Sequence, residues 1–179
     1  MADLIVSPPP SVSMATNTSP APPAAPGAAV PPPYGPPITL AQAKRVMAAA
    51  EAAALEHGWP MAIAIVDSTG HLVLFHRCDQ AQHGSVAIAQ AKAETAVNFR
   101  RPTKVFEDAV AAGGLGLRLL ASPGLLPLEG GLPLLVDSQV IGAIGVSGMQ
   151  STQDAEIAQL GVAALGAASI RQRRGRSTG

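Results

Sequence analysis

The amino-acid sequence predicts an α/β protein of the α+β kind: a sandwich with a mostly antiparallel central sheet of about five strands, flanked by helices. Two observations carry this. Met61–Arg77 and Gly130–Gly148 each read as a hairpin, two β-rich apolar runs joined by a short polar turn. Ala-rich stretches with apolar residues at helical spacing surround them, so the order is helix, hairpin, two helices, hairpin, helix. That order lacks the strict strand–helix alternation of a parallel doubly wound fold, and adjacent hairpins build antiparallel sheets.

Each element has its own signal. Thr39 is a fair N-cap for a helix over Leu40–His57, in which Leu40, Ala43, Met47, Ala50, Ala54 and Leu55 form an apolar stripe. Gly58 stands where a C′ glycine belongs, and Pro60 prevents continuation. Met61–Val66 is an unbroken apolar run of strand length, which predicts a strand covered on both faces. Asp67-Ser68-Thr69-Gly70 supplies a turn, with glycine for positive φ, and His71–Arg77 returns with His71 and His76 on opposite faces. Ser85–Phe99 is a second helix with Val86, Ala89, Ala93 and Ala96/Val97 as its core face, ended by Arg101-Pro102. A short third helix covers Lys104–Ala111, and Leu115–Leu128, broken by Pro123, Gly124 and Pro127, predicts a helical turn and then a loop. In the second hairpin Asp137-Ser138-Gln139 is the turn. Gly142 and Gly145 interrupt the second strand, which marks a place where a helix, a subunit or a ligand comes close to the backbone. Ser151 or Thr152 caps the last helix, with acidic residues in its first turn.

Composition bounds the rest. Residues 1–37 are rich in Pro, Ala and Ser with almost no charge, which predicts a disordered or polyproline-like arm. Residues 38–170 form the domain, and 171–179 a basic tail. The arm lacks the Lys or Arg and the apolar core of a secretory signal, so a cytoplasmic location is expected. Twelve basic and twelve acidic residues balance, which gives no electrostatic footprint for nucleic acid. No run approaches the ~20 apolar residues of a membrane span, and the single Cys78 allows no intrachain disulfide.

Chemistry-bearing residues are few. The second strand of the glycine hairpin has neither GxGxxG nor GK[ST], so dinucleotide and P-loop readings fail. Ser147-Gly148, just before a helix start, is where free N–H groups gather, an anion site. There is no HExxH and no local three-ligand cluster, so no metal site is expected, although a lone axial histidine needs no spacing pattern. Lys92 lies among core alanines of the second helix, either snorkelling or serving as counter-charge for a carboxylate of the protein or of a ligand. A polar group that includes Arg77, Asp79, Lys92, Thr95 and Arg101 clusters around that helix.

The stretches AIVDSTGHLVLFHRCD, AQAKAETAVNFRRPT and PLEGGLPLLVDSQVIGAIGVSG, followed by Asp154 and Ala158, together resemble the heme-binding GlcG/HbpS family, or haem-degrading domain, over about Leu40–Leu165. The resemblance implies a profilin-like α/β sandwich that assembles into symmetric homo-oligomers up to octamers, and tetrapyrrole binding in some members. Other members lie among genes for glycolate or aromatic-compound catabolism. Secreted heme-binding members carry an export signal and an acidic iron-binding motif; neither is seen here.

Two functional readings follow. In the first, the chain is an oligomeric binder of heme or a related tetrapyrrole, in a pocket between the second helix and the sheet or between subunits. His71 or His76 is then the axial ligand and Lys92 and Arg101 meet propionates, with Arg77, Thr95, Ser147 and Gly148 as further ligand-binding positions. In the second it is an enzyme or accessory factor acting on a small carboxylated catabolite, a 2-hydroxy acid or aromatic ring-cleavage product. Lys92, Arg77 and Arg101 then hold the carboxylate and Asp79 or Glu129 moves a proton. The expected partners are a small molecule and further copies of the chain, with neither nucleic acid nor membrane.

Overall fold

The computed structural model describes residues 30–176, with side chains through Gly166. The expected disordered arm falls outside the described residues up to Ala29. Thr39 caps α1 (Leu40–Glu56) by a full capping box: its hydroxyl accepts from the Gln42 N–H, and Gln42 reaches back to the Thr39 N–H. Gly58 follows with φ +66°, the left-handed turn that ends the helix. The remaining elements are β1 (Ala62–Asp67), β2 (Leu72–Arg77), α2 (His83–Phe99), α3 (Lys104–Ala111), a 3₁₀ turn over Gly114–Ala121, β3 (Gly131–Val136), β4 (Gln139–Ser147) and α4 (Ser151–Arg176). The element order therefore matches the one read from the sequence.

The four strands form one antiparallel sheet in the order β2-β1-β4-β3. Among the described residues the sheet has four strands where about five are expected. The two hairpins account for all of them, because Pro and Gly turn Leu115–Leu128 into the 3₁₀ turn and a loop. β1 is central and fully buried from Ala62 to Val66, as its unbroken apolar run requires.

Side chains alternate between two unlike faces. Ile63, Ile65, Ile144 and Val146 pack with Val46, Met47, Ile157 and Leu165 of α1 and α4. On the other face Ala62, Ala64 and Ala143 meet Ala89, Ala93 and Ala96 of α2. A Cβ at Gly145 would overlap the Ala89 carbonyl oxygen. The approach at Gly145 is thus made by a helix of the same chain, whereas a Cβ at Gly142 would meet the Val66 carbonyl oxygen of β1 and Ile38; the α2–sheet interface is filled rather than open.

Two boundaries, and one buried stripe, differ from expectation. Residues 31–37, assigned to the arm, pack on the domain. Tyr34 forms a parallel bridge with Val140, Val140 exchanges backbone hydrogen bonds with Pro33 and Gly35, and the Tyr34 hydroxyl donates to the Val97 and Asn98 carbonyls. The Arg100 guanidinium lies 5.0 Å over the Tyr34 ring and donates to the Pro32 carbonyl. A short Pro-rich strand partner leaves no periodic sequence signal, which is why composition alone misassigned it. At the other end α4 runs through Arg176, into the stretch read as a tail. Within α1, Leu40 and Leu55 are exposed and the buried stripe is Ala43, Val46, Met47, Ala50, Ala53 and Ala54: Leu40 lies at the first residue, before the stripe, and Leu55 is rotated about 100° from Ala54, off the buried face. No helix among the described residues is long and apolar enough to cross a membrane.

Candidate ligand site

Lys92 is only 2% exposed. Its ammonium donates to the Val146 carbonyl at 3.0 Å and to Asp154 Oδ2 at 2.6 Å. Asp154 is equally buried, and its other oxygen accepts the Met149 N–H at 3.1 Å. Burial pushes the Asp154 carboxyl above its ordinary range, against the pull of Lys92 and of the Met149 and Gly148 N–H groups. Lys92 belongs to the helix on one face of the sheet and Asp154 to a helix on the other. They meet at Gly130, where φ is +120° and an added Cβ would lie within 2.9 Å of Lys92 Nζ, Asp154 Cβ and the Val146 oxygen. A side chain there would close the gap through which the pair forms. In the sequence Asp154 is legible as a first-turn acid of α4 and as a position of the family resemblance, not as a partner of Lys92. Nothing local pairs it with a lysine 62 residues away.

The pair borders a cleft of about 320 Å³ lined also by Gln82, Ser85, Ile88, Leu128, Ser147, Gly148 and the start of α4. Three of the sequence candidates, Lys92, Ser147 and Gly148, therefore share one site, formed by α2 residues Ser85, Ile88 and Lys92 and the end of β4.

The other candidates lie elsewhere. Thr95 is fully buried and structural in its contacts: its hydroxyl accepts the Leu126 N–H at 2.9 Å and pins the loop before β3. Arg101 lines a separate cleft with Asn98, Phe99 and Phe106. Arg77 and Asp79 share a third, of about 450 Å³, with Trp59 and Cys78. The grouping of Lys92, Arg77 and Arg101 around one carboxylate does not form. Glu129 sits in the loop before β3, where its N–H donates to Glu107 and its own Oε2 is buried without a partner. Burial raises its pKa; Lys104 opposes that, and Glu107 and Asp108 add to it.

The histidines are apart, as their strand register requires. His71 is exposed at the β1–β2 turn with Nδ1 2.7 Å from the Thr69 hydroxyl. His76 is half-buried against α1, its Nδ1 3.2 Å from Glu51 Oε2, beside a cleft of about 250 Å³ formed with Lys44, Met47, Ala48 and Leu74. Among the described residues no three His, Cys, Asp or Glu side chains group as a metal site.

Comparison with known proteins gives concordant results. The family model described as haem degrading protein HbpS-like matches residues 38–163. Protein GlcG of Escherichia coli (strain K12) is 40% identical over 110 residues, 62% of this chain and 81% of GlcG. The crystal structure of Klebsiella pneumoniae protein ORFY matches with a TM-score of 0.69 at 35% identity, covering 74% of this chain and 93% of that one. The crystal structure of a PduOC–heme complex matches with a TM-score of 0.66 at 30% identity, covering 72% of this chain and 94% of that one.

Proposed function

This chain belongs to the HbpS-like family, and from that membership and the surroundings of His76 we propose that it is an oligomeric small-ligand-binding protein that takes heme or a related tetrapyrrole. The observation that carries the reading is the His76–Glu51 contact. A ligating imidazole commonly gives its other nitrogen to a carboxylate, which fixes ring orientation and raises basicity. With Nδ1 turned to Glu51, Nε2 is the nitrogen left for iron. Met47, Ala48 and Leu74 offer apolar surface beside it, and Lys44 a cation for a propionate. His71 has a hydroxyl partner in an exposed turn, with no such surface. The likeness to the PduOC chain seen with heme supports the same ligand class. When bound, the group would supply an iron centre whose reactivity its axial ligand tunes; the residues named here bind and orient it.

Self-association belongs to the same reading. Leu115, Leu117 and Leu120 of the 3₁₀ turn are exposed together, with Val105 exposed on α3, which packs against that turn. Such an apolar surface suits a second copy of the chain.

Titration of the purified full chain with hemin is expected to give a saturable Soret shift that His76→Ala abolishes or moves while His71→Ala leaves it in place. No shift with the wild type ends the reading, and an unchanged shift in His76→Ala removes that ligand. Native mass spectrometry measures the oligomer, and a monomer removes the self-association.

A further inference from the structure

A second polar site, on the opposite face of the sheet from His76, is left unused by that reading and does not depend on it. Ser85 and Ser147 are 3% and 5% exposed. Both line the cleft beside Lys92, and neither hydroxyl has a hydrogen-bond partner among the described residues. Among the described residues the buried side-chain oxygen without a partner is Glu129 Oε2, so these two hydroxyls are not sealed in the core but open onto the cleft, where a ligand can reach them. Lys92 has three N–H donors and uses two, on Val146 and Asp154. Two hydroxyls and one ammonium N–H therefore border a volume of about 320 Å³ that no side chain fills. The start of α4, a 26-residue helix, forms another wall, and its positive dipole end favours a negative charge there. Ser151 on that wall donates its hydroxyl to Glu107 at 3.4 Å.

We propose that this cleft binds a small monocarboxylate, held by the Ser85 and Ser147 hydroxyls and the free N–H of Lys92. The cavity admits a compact acid. Gln82, whose amide donates to the Gly148 carbonyl at 3.4 Å, closes the rim.

The test is calorimetric titration of the full chain with acetate and with lactate, and with acetamide as the neutral counterpart. Saturable carboxylate binding is expected, acetamide binding being weaker. A Ser85→Ala/Ser147→Ala double variant is expected to lose affinity by about tenfold or more. The same variant is expected to melt at or above the wild-type temperature, because hydroxyls without partners contribute nothing to folding. A structural role for the serines would lower it instead. His76→Ala is expected to bind the acids as the wild type does, which separates this site from the heme reading. Absence of carboxylate binding at millimolar concentration, equal binding of acetamide, or undiminished binding by the double serine variant would each overturn the proposal.

Discussion

The two faces of the sheet bury comparable stretches of backbone in different ways. Toward α1 and α4 the strands present Ile63, Ile65, Ile144 and Val146, so those helices stand off on branched side chains. Toward α2 they present Ala62, Ala64, Ala143 and Gly145, and the helix comes down until its own backbone meets the strand. The first arrangement gains by buried apolar area. The second gains close contact and little area, and it brings a lysine stem alongside the sheet to a carboxylate that belongs to the other layer. The difference explains where the buried ion pair forms: small side chains let Lys92 lie against the sheet and still reach Asp154.

The largest way to break the comparison is to remove one charge of the pair. Lys92→Met leaves Asp154 buried without its cation and is expected to lower stability by about 3–5 kcal/mol, read from urea denaturation at neutral pH. Lys92→Met with Asp154→Leu is expected to recover most of that loss, since the desolvation of two charges offsets much of their attraction. A double variant as unstable as the single one would mean that the pair itself supports the fold.

Next in size is a contrast of methyl groups. Gly145→Ala drives a Cβ into the α2 backbone and is expected to cost about 1–3 kcal/mol. Ile65→Val on the opposite face, where one methylene is lost from a deformable core, is expected to cost about 0.5–1.5 kcal/mol. Equal effects would show that the α2 face can shift as freely as the other.

The smallest effect is a slope with pH. The Asp154 carboxyl in the folded chain lies above its ordinary value, so between about 3.9 and that raised value the folded state holds more proton than the unfolded. Wild-type stability is therefore expected to fall as pH rises through that window, relative to Asp154→Asn, which has no such proton to lose. A rise instead would mean that Lys92 and the N–H groups outweigh burial.

Much of the fold was legible in the residues. Thr39 and Gly58 bracketed α1, the unbroken Met61–Val66 run announced a central strand, and Gly142 and Gly145 marked a close approach. Each of these is a local rule, satisfied within a few residues by capping, periodicity or backbone freedom. The site was less legible. Lys92 stood out because a charge among alanines conflicts with its surroundings, and Ser147-Gly148 because it precedes a helix. Arg101 and Thr95 were grouped with them by proximity in sequence, and the structure sends one to another cleft and the other into a loop anchor.

By itself, then, the sequence determined the elements, their order and the family. Those depend on patterns of 2 and 3.6 residues and on caps and turns, which neighbours along the chain decide. Only the tertiary structure decided that Tyr34 closes onto β4, that Asp154 answers Lys92 through the gap at Gly130, and that Ser85 and Ser147 face one cavity. These are contacts between residues dozens of positions apart, and their partners are chosen by how the two faces of the sheet pack, a choice that no local pattern encodes.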